Sequence, residues 1–370
     1  MKISIYSTQV IPTNPDLERY GGLELIAGLQ AKYFAEKGHE VHLFASLGSY
    51  SNDKVKLHAM AEAGKMNPVQ AWSNYWGNPQ TKQILKDSDI VVDHSWDFFP
   101  YSAYNELKNI CHCWHGPNPG FNAKPPYETP NLISISFNHG KMMSKMAPGT
   151  HWRTVHNGIP LYKYDLNSKP ISERDRLLWV SRIYYPKGGH LAVEIANKLE
   201  MPIDIVGGSF GDVPAYTNYV KKLCDDSKWA TFHGEVDFAK KLEFYRNAKC
   251  VILPIVESIS NEDSKKYCSI GDVGPNGYWE WHEPFGLITP EANACGTPVV
   301  VSPNCGWSET MVHGFNGFFA NEREEFAYYV KQVDSIKPEN CRKRAEDFDY
   351  KIMGENYLRL FNEIIEGRGW

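Results

Sequence analysis

The sequence predicts an α/β protein made of two Rossmann-like halves, and three observations carry that expectation. The chain has 370 residues, which at roughly 150 residues per domain is too long for one ordinary core and enough for two. Short β-rich runs alternate with segments of helical period, the pattern of right-handed βαβ units on a parallel sheet. The alternation stops at a polar stretch, LYKYDLNSKPISERDR at 161–176, which reads as a linker, and then starts again. The expected parts are an N-terminal domain at 1–160, a C-terminal domain at 175–345 and a helical segment at 346–370 that packs back towards the first domain.

In chain order, KISIYS at 2–7 reads as a strand. GGLELIAGLQAKYFAEKGH at 21–39 places Leu25, Leu29 and Phe34 at roughly helical spacing and stops at Gly38, where a C-terminal glycine belongs. EVHLFAS at 40–46, DIVVDHS at 89–95, NICHCWHG at 109–116 and LISISF at 132–137 are further strands, each ended by a turn or a polar group. In the second half LLWVSR, IDIVGG, ATFHGEV, CVILPIV and TPVVVS are the strands, with HLAVEIANKL a helix among them. The final YKIMGENYLRLFNEIIEG at 350–367 has an amphipathic helical period.

Composition narrows the class. A net charge of −5 gives no general attraction to nucleic acid or anionic lipid, so an anionic ligand would have to be met by a local basic cluster. The 8 cysteines are irregularly spaced and follow no secretory leader, so reduced thiols in a cytoplasm are expected. No run of about eighteen uninterrupted apolar residues occurs, so no membrane span is expected.

In open parallel sheets ligands bind beyond the carboxyl ends of the strands, so the candidate residues are those that follow each strand. Gly21 and Gly22 open a helix after the first strand and offer backbone N–H groups to an anion, although a tight turn alone would explain them. Arg182 and Lys187 in SRIYYPKGG follow a second-half strand and precede a helix N-terminus, an arrangement suited to a diphosphate. In HEPFGLITPEANACGTPVVV at 282–301, Glu283 and Glu291 stand eight positions apart on either side of Gly286. A turn with a residue that lacks Cβ lets the amides of Phe285, Gly286 and Leu287 approach a ligand closely. An acidic first helical turn would explain Glu291 but leaves Glu283 and the glycine without a purpose.

The segment EPFGLITPEANACGTPVVVS resembles the E-x7-E signature of the retaining family-4 glycosyltransferases, which have the GT-B fold of two Rossmann-like domains facing a cleft. GGLE near the start, CWHGP after a first-half strand, HNGIP at the end of that half and SRIYYPKGG in the second occur in the family's order, so the resemblance covers nearly the whole chain. It implies transfer of a hexose-type sugar from a UDP- or GDP-sugar to a glycan, lipid-linked or small-molecule acceptor held mainly by the first domain. It implies further that Arg182 and Lys187 neutralise the leaving diphosphate and that Glu283 accepts from the sugar hydroxyls. His115 would line the sugar site and Glu291 would hold the ribose. Gly208, Glu235 and Val236, with Gly21 and Gly22, would border the donor. No metal and no cofactor are implied. A nucleotide-sugar epimerase of the same fold and a non-catalytic sugar-nucleotide binding protein are the alternatives.

Three other features were open to different readings. Cys111, Cys113 and His115 share a strand face and are zinc-competent, but no second Cys pair follows to complete a site. The pairs Asp87/Asp89 and Asp347/Asp349 are poorly placed to bring a metal to a diphosphate. Lys141 and Lys145, among the methionines of HGKMMSKMAPG, admit a peripheral membrane contact, with exposed lysines over buried methionines the commoner arrangement. The chain departs from the family pattern at 257–282, where 26 residues ending in Tyr278, Trp279 and Trp281 stand between a strand and Glu283. A loop that long is expected to be a lid or an acceptor-facing element.

Overall fold

Strands whose side chains are hidden on both faces need helices on both sides, and the apolar runs of this chain meet that condition. In the computed structural model, which describes residues 1–17, 21–66, 68–95, 106–116, 131–209, 214–268 and 278–370, they form two parallel sheets. The first contains β1 (Lys2–Tyr6), β2 (Glu40–Phe44), β3 (Val55–His58), β4 (Ile90–Asp93), β5 (Ile110–Cys113), β6 (Leu132–Ser134) and β7 (Trp152–Thr154), in the order β3-β2-β1-β4-β5-β6-β7. The second contains β8 (Arg176–Val180), β9 (Ile203–Val206), β10 (Ala230–Gly234), β11 (Ala248–Leu253), β14 (Val299–Val301) and β15 (Gly317–Phe319), in the order β10-β9-β8-β11-β14-β15. Between β11 and β14 a separate antiparallel ribbon pairs β12 (Ser258–Ser260) with β13 (Tyr278–Glu280).

The chain divides into two units, one of Met1–Pro160 with Phe348–Trp370, the other of Leu161–Asp347. In the first, the helix Gly22–Glu36 crosses from β1 to β2 and buries Ile26, Ala27, Leu29 and Phe34. The C-terminal helix Tyr350–Ile365 belongs to this unit and packs on that helix through Phe34 and Phe361, with ring centroids 5.4 Å apart, and through Tyr33 and Tyr350, 6.0 Å apart. Its return is fastened by Ile159 N–H donating to Phe348 O at 2.8 Å and Tyr350 N–H donating to Ile159 O at 2.9 Å.

The stretch 161–176 opens the second unit and, although many of its residues are exposed, it is tied to that unit at buried points. Tyr164 is buried, and the buried Arg174 guanidinium donates to the carbonyls of Ala248, Asn167 and Lys169 and to Thr297 Oγ1 at 2.8–3.2 Å. A guanidinium carries five donors in a fixed fork, so one side chain ties a polar segment onto the second unit. Polarity alone does not separate such a segment from a linker.

In both sheets the order reverses beside the first strand of its unit, at β1/β4 and at β8/β11. That is the switch point where the loops at the strand ends diverge and leave a crevice. Among the described residues no helix is long and apolar enough to cross a membrane.

Candidate functional site

At the switch point of the second sheet, β8 ends at Val180 and runs through Arg182 and a 3-10 turn, Tyr185–Lys187, into the helix Gly189–Leu199. The hinge is Gly188, at φ +67°, where an added Cβ would lie 1.6 Å from Pro254 O. Only glycine fits that approach, and it turns Lys187 out of the helix at the helix N-terminus. Neighbouring strand ends are tied together. Ser181 N–H donates to Val206 O at 3.1 Å, Ile183 N–H to Gly208 O at 2.9 Å and Gly207 N–H to Gly234 O at 2.8 Å. A Cβ at Gly208 would meet Glu235 Oε2 at 2.8 Å, so the Glu235 carboxylate lies against Gly208, and Val236 follows it.

Lys187 and Glu283 come from the ends of β8 and of the β11 connection and form an ion pair, each side chain 13% exposed. The backbone of Glu283 is held from both sides, its N–H donating to Cys305 Sγ at 3.4 Å and its carbonyl accepting from Gly306 N–H at 2.7 Å. Lys187 Nζ also stands 5.4 Å from the Trp281 ring centroid, and the Arg182 guanidinium lies 4.8 Å from that of Tyr184. Arg182 Nε is buried and has no hydrogen-bond partner among the described residues. A buried guanidinium N–H without a partner is costly, and an anionic ligand would relieve it.

The turn after Glu283 has the geometry the glycine implied. Gly286 sits at φ +81°, and a Cβ there would come within 2.7 Å of Trp307 Cε3. Its carbonyl accepts from Thr289 N–H at 3.2 Å and Thr289 Oγ1 at 3.0 Å, which turns the chain into the helix Ile288–Ala294, with Leu287 at its start and Phe285 buried. Glu291 lies in that helix and is buried. Lys241 Nζ donates to its two oxygens at 3.1 and 3.2 Å, and Tyr245 Oη donates to Oε2 at 2.7 Å. Burial, and then the Glu291 carboxylate, push the Tyr245 phenol well above its ordinary range and keep it a donor. Lys241 and Tyr245 were not expected from sequence. They lie in a helix whose polar residues are indistinguishable from a solvated face.

In the first unit Gly21 and Gly22 stand where β1 hands over to its helix, and Gly21 O accepts from Leu25 N–H at 2.9 Å. A Cβ at Gly21 would fall 2.2 Å from Ile11 Cδ1, so close packing is a sufficient reason for that glycine. His115 follows β5 and pairs with His94, which follows β4, at Nε2 to Nδ1 2.9 Å. His94 Nε2–H donates to Gln30 Oε1 at 2.9 Å, which makes Nδ1 the acceptor and assigns the proton of the shared bond to His115 Nε2. Burial, with His112 adding to it, holds His94 down to about 3, and burial followed by His94, His139 and His112 holds His115 well below the usual imidazole range. Both rings are therefore neutral at pH 7. His94 was legible by the same strand-end rule that selected His115.

The zinc trio does not assemble as the strand face suggested. Cys111 Sγ turns to Val91 O at 3.8 Å. Among the described residues His94, Cys113 and His115 bring ligand atoms within 4.8 Å of one another, but Cys113 Sγ is bonded to Tyr357 Oη at 2.9 Å and the two rings to each other. All eight cysteines are free and buried. Of the aspartates, Asp89 accepts from Lys2 N–H at 2.7 Å and Asp349 caps the helix Tyr350–Ile365, so both serve local backbone. Lys141 and Lys145 are exposed and Met143 is buried, while Met146 is exposed.

The 257–282 segment is built onto the cationic loop. Residues 269–277 and the side chains of Tyr278 and Trp279 lie outside the described residues. In the rest, Val256 N–H donates to Pro186 O at 2.9 Å, Trp281 N–H to Glu257 O at 2.8 Å, and Tyr267 and Trp281 are buried. The described part is therefore a packed ribbon and turn rather than a loose loop.

A family model described as Glycosyl transferases group 1 matches residues 165–350, half of the chain and nearly all of the second unit. An uncharacterised glycosyltransferase of Methanocaldococcus jannaschii is 25% identical over 362 residues, covering 85% of this chain and 83% of its own. Among solved structures, sucrose-phosphate synthase from Thermosynechococcus elongatus superposes with a TM-score of 0.76 at 14% identity, over 99% of both chains. Anabaena HepE in complex with UDP and glucose gives a TM-score of 0.70 at 16% identity, over 98% of this chain and 100% of its own. At such identities these two likenesses speak for the fold.

Proposed function

The chain belongs to the group 1 glycosyl transferases, and on that premise we propose that it is a retaining, family-4 hexosyltransferase whose second unit binds a nucleoside-diphosphate sugar. The observation that carries the reading is the Lys187–Glu283 pair beside Arg182 at the β8/β11 switch point. A donor of this class has a diphosphate between two hydroxyl-bearing ends. Cations belong at its middle and carboxylates at its ends, in the sequence Glu283, Lys187 with Arg182, Glu291. The complex of HepE with UDP and glucose supports a uridine donor as the first to test.

As the bond from sugar C1 to the diphosphate breaks, negative charge grows on the leaving oxygens. Lys187, Arg182 and the N-terminus of the helix Gly189–Leu199 are fixed in advance to meet it. The amides of Phe285, Gly286 and Leu287 are assigned to the same phosphates. Glu283 accepts from the sugar hydroxyls, and Lys187, with three donors, can hold Glu283 and a phosphate oxygen together. Glu291 has about four acceptor positions as a carboxylate. Lys241 and Tyr245 fix its orientation and leave acceptor capacity for ribose hydroxyls. Gly208, Glu235 and Val236 border the nucleoside. In the first unit His115 is assigned to sugar as a neutral hydrogen-bonding group, its tautomer set by His94 and Gln30.

Retention follows if the acceptor hydroxyl attacks C1 on the face the diphosphate leaves. Its proton passes to the departing phosphate oxygen, so no second carboxylate is required, unlike in retaining glycosidases. The test is a thermal-shift screen with UDP-, GDP- and ADP-glucose, then NMR of the anomeric product from the best donor. A raised melting temperature with one nucleotide sugar and a product of unchanged anomeric configuration are expected. Inverted product would refute retention, and indifference to every donor would refute the donor site.

A further inference from the structure

Two aromatic rings of the 257–282 segment, Tyr267 and Trp281, lie against the residues that carry the cations. Tyr185, two residues before Lys187, is sandwiched between His190 and Tyr267, with centroids 5.0 and 5.1 Å away and planes tilted by 11° and 9°. Tyr267 in turn stacks on Tyr219 at 5.4 Å and meets Tyr216 edge-on at 5.7 Å. Tyr216 Oη is bonded to His190 Nδ1 at 2.9 Å. Tyr184, whose ring lies under the Arg182 guanidinium, meets Trp281 edge-on at 5.5 Å. Trp281 is also the ring beside Lys187. Pro186, between these tyrosines and Lys187, accepts from Val256 at the entrance to the segment.

Every residue from Tyr184 to Lys187 therefore touches the segment or its entrance. Stacked aromatic pairs favour a defined offset geometry, so they fix a loop in a way that shapeless apolar burial does not. A cation loses a large part of its effect on a transition state when it is displaced by about an ångström.

We propose that Tyr267 and Trp281 are positioning residues for the proposed transfer: these two rings form a brace that holds Lys187 and Arg182 at the donor diphosphate. The inference rests on the assignment of those two cations made above. Tyr267 acts on the reaction through Tyr185 and the loop, without touching substrate, and its ring rather than its hydroxyl is the working part.

The experiment is a double-mutant cycle between Tyr267→Ala and Lys187→Ala, read as release of UDP from UDP-glucose, or of the diphosphate from whichever donor the screen selects. Tyr267→Ala is expected to lower kcat about tenfold with a smaller change in KM, and Tyr267→Phe to restore it. In the Lys187→Ala background the further loss from Tyr267→Ala should shrink to twofold or less. A role confined to holding the fold would cost the same in both backgrounds, and additivity overturns the proposal. Trp281→Leu provides a second entry to the cycle if Tyr267→Ala does not fold, with the same expected non-additivity. A disabled Lys187→Ala protein beside an unaffected Tyr267→Ala protein overturns the brace alone. Full activity in Lys187→Ala overturns the donor-site reading and the brace with it.

Discussion

The two sheets share one strand order around their switch points, yet the groups gathered there differ in kind. At the ends of β4 and β5 the first unit presents His94 and His115, held neutral by burial first and by neighbouring imidazoles second. At the ends of β8 and of the β11 connection the second presents Lys187 paired with Glu283, with Arg182 nearby and Glu291 held by Lys241. A repeated topology thus fixes where a site lies and leaves its chemistry to a few loop residues. Neutral imidazoles suit hydroxyl recognition, and fixed charges suit a phosphate whose charge grows during reaction.

The largest expected effect tests the neutral side of this contrast. A buried His whose folded pKa lies below its unfolded value contributes stability at neutral pH. The contribution falls as pH drops below about 6.5 and is gone once the folded pKa is passed. With His94 at about 3 and His58 at about 4, the first unit should lose roughly 2 kcal/mol from each by pH 5. The second unit has His190 at about 4 and should lose roughly half that total. Urea midpoints at pH 7 and pH 5, with hydrogen-exchange mass spectrometry to locate the loss, check it. Equal loss in both units would break the comparison.

Next in size is the charged side. Lys187→Ala should lower turnover about a hundredfold, roughly 3 kcal/mol, with far-UV dichroism unchanged. Lys187→Arg should recover part, because a planar guanidinium does not reproduce a compact ammonium. Glu283→Ala should separate turnover from binding. Turnover falls with the loss of the sugar contact, while the free nucleoside diphosphate binds several-fold tighter, because Lys187 is released from its counter-charge. Calorimetry with UDP and GDP reads the second effect, and weaker binding in Glu283→Ala would show that the pair prepares Lys187 rather than competing for it.

How much of this was legible depends on whether the signal was local. Strand ends, Gly286 and the order of motifs could be read because turn geometry and alternation are written in neighbouring residues. β3 could not, since the four residues of VKLH are too few to carry a decisive period, nor could β15, a three-residue GFF. Arg174 looked solvated because the partners that bury it, Ala248 O and Thr297 Oγ1, lie far along the chain. The stack of Tyr185 on Tyr267 joins residues 82 positions apart, and nothing near either predicts it. The aromatic end of the 257–282 segment suggested a lid or an acceptor-facing loop, whereas the contacts behind the proposed brace exist only in three dimensions.

A smaller effect is expected at Glu291. Its contact with ribose would be present in ground and transition states alike, so Glu291→Ala should raise KM about tenfold with little change in kcat. Tyr245→Phe should give a weaker version of the same change by removing one donor to the carboxylate. A fall in kcat with unchanged KM would move Glu291 from the ribose to the reacting end of the donor.

The smallest expected effect is none, in excess EDTA. A divalent ion in a diphosphate site offsets charge on the leaving group and holds two phosphate oxygens in place. Here Lys187 and Arg182 stand on a loop fixed by Gly188 and followed by the N-terminus of an eleven-residue helix. Arg182 has a buried N–H awaiting an acceptor. On the proposed reading, two cations and a helix N-terminus would supply the positive charge without an ion whose waters must be displaced. Two carboxylates assigned to the donor are already paired, Glu283 with Lys187 and Glu291 with Lys241 and Tyr245, which leaves them poorly suited to gripping a metal. Turnover with the best donor should therefore be the same within error before and after chelation, and added Mg²⁺ or Mn²⁺ should change it less than twofold. Loss of activity in EDTA with recovery on adding either ion would place a metal on the diphosphate and move Lys187 and Arg182 to supporting roles.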